Sequence, residues 1–328
     1  MPRAEPSRRF LLAAPALLSL PAPLTRPAAA QERFPNRPIR LVIPVGVAGV
    51  TDIAGRVIGE SMAQILGQPV VAENIAGAGG TVGAAAFLRA PADGQTLYIG
   101  TANAIMRLVY PNLAFDPVGD FVPLGLVGRQ AFVMAVHPDV PARTIPELIA
   151  WLRTQGERAN YGATNPGATN HLAGSLFQQL TGLDYTIVTY RTAAQSVQDL
   201  LAGRMHFTID SPTLLMPLIR DGRVRPLGMT FLEPSPLLPG LAPIAQSVPG
   251  FEMVVWQGMF CRVGTPPDVV RVLLDAVQRV ARDEPTRQRL ATANIEPWAD
   301  PSPEAQRAWM ASETRRWEPV IRRMNLTG

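Results

Sequence analysis

The sequence has 328 residues, 47% hydrophobic and 17% charged, the balance of a globular chain long enough for two domains. Its formal charge of +4 comes from 30 Arg against 26 acidic residues, and the absence of Lys excludes both a P-loop and a Schiff-base nucleophile. The one Cys, Cys261, excludes an internal disulfide and leaves stability to packing; in its apolar surroundings it reads as a buried, inert thiol.

Arg3, Arg8 and Arg9 precede the apolar run 10–20, and Ala28-Ala29-Ala30 follows, which together make the three parts of a secretory signal. The run is too short for a bilayer and is broken by Pro15 and Pro21. Residues 1–30 are therefore expected to be removed near Ala30 in the periplasm, by the general or the twin-arginine route. They hold four Arg against Glu5, so the remainder carries 26 Arg and 25 acidic residues, a formal charge of about +1. No basic field remains for nucleic acid.

Beyond residue 30 the pattern alternates. Ile39–Pro44 reads as a buried strand, and Thr51–Leu66 has apolar residues at helical spacing, closed by Gly67-Gln68-Pro69. Val70–Ala72 is a strand, Val82–Arg89 a helix after a Gly-rich loop, and Thr96–Gly100 a third strand. This order predicts right-handed crossovers and a largely parallel sheet. Phe132–Val136 is strand-like, and Thr144-Ile145-Pro146-Glu147 has capping-box spacing before a helix through Arg153. Strands follow at Asn160–Gly162, Ile187–Tyr190, Met205–Ile209 and Pro226–Thr230, with helices at Thr169–Leu180, Ala193–Ala202 and Pro212–Arg220. Pro234–Pro249 is Pro-rich and reads as a surface crossing. Val254–Arg262 is the last strand, and helices at Pro267–Arg282 and Pro303–Met324 close the chain, the latter anchored by Trp309 and Trp317. No internal sequence repeat is evident. The order fits two doubly wound α/β lobes around a ligand cleft, with residues 31–131 and 254–328 in lobe 1 and 132–253 in lobe 2.

In such sheets ligands bind beyond the carboxyl ends of the strands, where loops feed helix N-termini. Two junctions stand out. The loop from Pro44 through Val45, Gly46, Val47, Ala48 and Gly49 to Thr51 and Asp52 has no cationic side chain, so backbone N–H groups are its means of attracting an anion. Thr51 or Asp52 is expected to cap the helix; an ionised Asp52 would repel a carboxylate. The loop from Tyr161 through Ala163, Thr164, Asn165, Gly167, Ala168 and Thr169 to His171 is again small and polar, placed to close on the same ligand. Asn103, Tyr190 and Asp210, near strand ends, are further candidate contacts; turn formation competes at Asn103, half-burial at Tyr190 and helix capping at Asp210. Trp256 reads as core.

Taken together, the segments FPNRPIRLVIP, the loop ending Thr51-Asp52, LGQPVVAEN, GAGGTVGA, APADGQTLYIGT, YPNLAFDPVGDF, the Tyr161–Leu172 loop, Tyr190-Arg191, DLLAGRMHFTID and Gly264-Thr265-Pro266 resemble, in order and spacing, the substrate-binding proteins of tripartite tricarboxylate transporters, the Bug family. The resemblance implies a type II periplasmic binding protein fold whose two loops grip a ligand carboxylate through backbone groups and water, and a permease as partner. The family's first loop usually reads proline-phenylalanine, then a proline and glycines; Val45, Val47, Ala48 and Val50 take those places here. Ala163 stands for a usual Ser, Asn165 for a usual Gly, and Thr192 for the Gly after Tyr190-Arg191. A tighter, more apolar pocket follows, suited to an apolar or aromatic monocarboxylate rather than citrate.

The expectation is a monomeric solute receptor that needs no cofactor or metal. The rivals are a carboxylate sensor built on the same lobes and an exported enzyme. Gly77-Ala78-Gly79-Gly80-Thr81-Val82-Gly83 misses dinucleotide spacing and reads as tight helix–strand packing. His137, His171 and His206 lack metal-type spacing, and no nucleophile accompanies them.

Overall fold

The computed structural model describes Met1 and residues 33–324; the expected signal segment lies outside the described residues. In chain order the first part is β1 (Ile39–Ile43), α1 (Val50–Leu66), β2 (Val70–Asn74), α2 (Thr81–Leu88), β3 (Thr96–Gly100), α3 (Asn103–Val109) and β4 (Phe121–Gln130). The middle part is β5 (Val133–Val136), α4 (Ile145–Gln155), β6 (Asn160–Thr164), α5 (Thr169–Thr181), β7 (Thr186–Tyr190), α6 (Ala193–Leu201), β8 (Phe207–Asp210), α7 (Pro212–Arg220) and β9 (Arg225–Met229). The last part is β10 (Val255–Arg262), α8 (Pro267–Arg282), α9 (Glu284–Ala291) and α10 (Pro303–Arg323).

Two five-stranded sheets result, ordered β2-β1-β3-β10-β4 and β7-β6-β8-β5-β9. The orders are equivalent: each is a βαβαβ unit with a crossing strand inserted fourth, β10 in the first sheet and β5 in the second. The sequence shows no repeat, yet the topology does. The expected largely parallel sheets are in fact mixed. β1 runs parallel to β2 and β3, and β6 to β7 and β8, but β10 is antiparallel to β3 and β4, and β5 to β8 and β9. Both antiparallel strands begin just after the chain crosses from one sheet to the other. They enter at the end where the neighbouring strands leave, so their direction is reversed.

Burial explains the strand sequences. In β1, Ile39, Leu41 and Ile43 pack under α1 and α8 while Val42 faces the opposite layer with Tyr98 and Phe121, so both faces are apolar. β4 escapes the apolar pattern because Pro123, Gly125 and Gly128 interrupt it. Pro123 is tolerated because β4 is an edge strand, where a missing N–H costs no ladder bond. α4 opens as its capping spacing predicts: Thr144 Oγ1 accepts the Glu147 N–H at 3.3 Å, and Glu147 accepts from the Arg143 N–H at 2.8 Å. The Pro-rich crossing is less superficial than expected. Leu238, Ile244, Val248 and Phe251 are buried, and Met229 N–H donates to Ala242 O at 2.9 Å.

α10 joins the two halves. Met310 packs with Phe121 and Phe260 of the first sheet, whereas Trp317, Val320 and Ile321 pack with Phe177 and Phe251 of the second part. Beside them Arg316 pairs with Glu313 at 3.2 Å and with Glu252 on the return crossing, and Trp317 Nε1 donates to Glu313 at 3.2 Å. Burial pushes the Glu313 carboxyl up to about 7, against the opposing pull of Arg316 and the Trp317 donor. Cys261 is buried, and burial pushes its thiol up to about 11, consistent with an inert core residue.

Candidate functional site

A cavity of about 390 Å³ opens where the carboxyl ends of β1, β3, β6 and β8 converge, within the usual size of small-molecule sites. In a 2-1-3 strand order the crossovers reverse between the first and third strands, and the crevice at that point is where such sheets bind ligands. The two sheets have the same order, so each contributes the same pair of loops. Pro44, Val45 and Gly49 follow β1, Thr101 and Ala102 follow β3, Thr164 ends β6 with Gly167 and Ala168 after it, and Asp210 ends β8. Phe132 and Val255, at the starts of the two crossing strands, complete the wall.

The first loop is held by Asp52. Its carboxylate accepts the Ala48 N–H (2.8 Å), Asn74 Nδ2 (2.8 Å) and Arg56 Nε (3.0 Å). Burial raises its pKa, but those donors outweigh the penalty and hold it below the usual range. Asp52 therefore folds the loop back on itself, which accommodates the left-handed Ala48 (φ 64). It does not cap α1. The N-cap is Gly49, with no side-chain acceptor, so the first N–H groups of α1 have neither an intrahelical partner nor a cap. Thr51, 2% exposed, lies on the cavity wall.

The second loop is built likewise. Asn170 Oδ1 accepts both the Thr164 N–H (3.0 Å) and its hydroxyl (2.7 Å), while Asn170 Nδ2 donates to Asp210 at 2.8 Å. Asp210 also accepts the Ser211 N–H at 2.7 Å; the cap of α7 is Ser211 itself, which accepts from Thr213. His171 Nδ1 accepts the Gly167 N–H at 3.2 Å, and burial lowers the imidazole pKa, as an accepting nitrogen requires. The N-cap of α5 is Ala168, which has no side-chain acceptor. By contrast α4, α6, α7, α9 and α10 start on Thr144, Thr192, Ser211, Asp283 and Ser302, each accepting from its own first turn.

The cavity thus joins the uncapped N-termini of α1 and α5 from the two sheets, each bearing about half a positive charge, and the shorter α2 and α3 also start on its wall without a side-chain cap, at Gly80 and Ala102. No Arg or His side chain lines it; Asp210 and the buried Tyr98 are its titratable groups, and burial pushes both pKa values up. Of the residues singled out in sequence, Val45, Gly49, Thr51, Thr164, Gly167, Ala168, Thr169 and Asp210 meet here. Gly46, Val47, Ala48, Asp52, Ala163 and Asn165 shape the loops without lining the wall. Asn103 is fully buried and donates to Pro117 O at 3.3 Å, and the Tyr190 hydroxyl donates to Asp199 at 2.6 Å. His171 faces a different, shallower groove of about 570 Å³ between α5 and the end of α10, which contains neither uncapped helix start.

Sequence reasoning missed Gly79, Gly80, Tyr98, Thr101, Ala102, Phe132, Ala193 and Val255 on the wall. The two-lobe reading made Phe132 and Val255 findable, since both crossing strands begin at the cleft. Gly83, in the glycine run, packs tightly: a Cβ there would lie 2.7 Å from Ile75 O and 2.9 Å from Pro44 Cβ.

Comparison with known proteins agrees with this architecture. The family model described as tripartite tricarboxylate transporter family receptor matches residues 54–326. A UPF0065 protein encoded between tcbD and tcbE of Pseudomonas sp. strain P51 is 34% identical over 293 residues, covering 88% of this chain and 87% of that protein. Among solved structures, R. palustris Rpa4515 with adipate superposes with a TM-score of 0.79 at 32% identity, covering 88% of this chain and 97% of the other. MatC from Rhodopseudomonas palustris with bound malate gives 0.76 at 28% identity, covering 88% and 100%. The mixed two-lobed architecture is therefore the type II periplasmic binding protein fold, and the chain belongs to the tripartite tricarboxylate transporter receptor family.

Proposed function

We propose that this protein is a periplasmic receptor that captures a small carboxylate between its lobes, without turnover, and presents it to the membrane permease of a tripartite tricarboxylate-type transporter. One observation carries the reading: the N-termini of α1 and α5, uncapped by any side chain, face a single cavity that no cationic side chain among the described residues lines. Backbone N–H groups and helix dipoles are then the groups able to hold an anion there. The relatives seen with adipate and malate support a carboxylate as that anion.

The lobes comprise residues 31–131 with 254–328, and 132–253, hinged where the chain crosses at Ala131/Phe132 and Met253/Val254. Ligand that bridges both helix starts favours the closed form, which the permease recognises. The receptor works as a monomer after removal of its leader near Ala30. Titration calorimetry against a panel of aliphatic, aromatic and amino carboxylates tests the proposal. Saturable binding with no change in the ligand is expected; turnover of any member, or no binding across the panel, would contradict it.

A further inference from the structure

We infer that the ligand of this site is a monocarboxylate with an apolar body, and that Asp210 discriminates against a second carboxylate. The inference rests on the carboxylate-receptor reading and adds the ligand class to it.

The charges on the wall set the limit. The four uncapped helix starts on the wall, those of α1, α2, α3 and α5, supply at most about half a positive charge each, and Asp210 offsets part of it. No Arg or His side chain on the wall adds a full positive charge for a second carboxylate. Asp210, 4% exposed, adds a carboxyl to the same wall, where it accepts from Asn170, the second residue of α5. A dianion would bring its second charge, desolvated, against that group with no cation to offset it.

The rest of the wall suits a hydrocarbon. Val45, Val50, Tyr98, Phe132 and Val255 present apolar surface from both lobes. The Tyr98 ring belongs to a cluster with Phe87, Phe121 and Phe260 at centroid distances of 5.2–6.1 Å, so it is held in place behind the cavity. Val45 lies in the first loop and Val50 opens α1 directly after it, and the Asp52–Ala48 bond fixes the loop backbone between them. An aliphatic chain or aromatic ring placed there loses water contact at no polar cost.

The test is calorimetry with purified protein on three probes: hexanoate, adipate and benzoate. Hexanoate and adipate share six carbons and differ by the second carboxylate. Hexanoate or benzoate is expected to bind at least about tenfold more tightly than adipate, one step of 1.4 kcal/mol. Adipate binding equally or more tightly overturns the inference while leaving the receptor reading in place. No binding of these or any other carboxylate instead removes the receptor reading, and the inference with it. Asp210→Asn, checked for folding by its melting temperature, is expected to narrow the monoacid–diacid ratio several-fold. An unchanged ratio in a folded variant takes the discrimination away from Asp210, and the wild-type ratio decides the ligand class whether or not that variant folds.

Discussion

Ala48 holds a left-handed backbone conformation, which an L-residue with a side chain adopts only at a cost. The bond from its N–H to Asp52 offsets that cost, and the loop relies on it. Ala48→Gly removes the steric penalty and is expected to stabilise the protein by roughly 0.5–1 kcal/mol, partly reduced by added unfolded-state entropy. Thermal unfolding that showed a fall in melting temperature for A48G would contradict this account of the loop. Glu313 gives a second test at this scale. Burial pushes its carboxyl up to about 7 from an ordinary 4.5, so the folded state binds its proton more tightly than the unfolded chain. The contribution of Glu313 to stability is therefore full below about 4.5 and declines as the pH rises through about 7. Melting curves across pH should show Glu313→Gln losing that slope relative to wild type; identical slopes would refute it.

α1 and α5 are the elements on which binding turns. Each begins at a residue with extended backbone, Gly49 at φ −72, ψ 161 and Ala168 at φ −66, ψ 157, a conformation any N-cap side chain accepts. A Cβ on Gly49 would meet no atom closer than 3.5 Å. Gly49→Asp and Ala168→Asp should each cap a helix, leaving stability unchanged or raising it by about 1 kcal/mol. Each places an anion where the ligand carboxylate belongs, so affinity should fall at least about tenfold in calorimetry. Retained affinity in a folded, stabilised variant would show that these helix starts are not the anion site. The elements legible in sequence were those with an uninterrupted pattern, such as α1 with its apolar spacing and Gly67 stop, or the Thr144 cap. β4 was hidden by Pro123 and two glycines, acceptable only because its edge position became known with the sheet order. The loops were legible as loops; which of their residues reach the cavity was not. His171 and Tyr190 point to other partners, and Asn170 reaches Asp210 across 40 positions of sequence.

At the scale of the molecule, two equivalent sheet topologies place equivalent loops on either side of one crevice. Shape recognition then follows from topology, and charge recognition from leaving α1, α2, α3 and α5 uncapped at the cavity. The C-terminal helix packs on both parts, with Arg316 reaching Glu252 on the return crossing, so α10 links the two sheets. Ligand bound between the lobes should shift the population towards the closed form, seen in small-angle scattering as a reduced radius of gyration. The most direct measurement is a crystal structure of the protein with the tightest binder among hexanoate, benzoate and adipate. The account predicts a carboxylate within hydrogen-bond distance of main-chain N–H groups in the first turns of both α1 and α5. A carboxylate held by side-chain cations, or seated in the groove between α5 and α10, would contradict it.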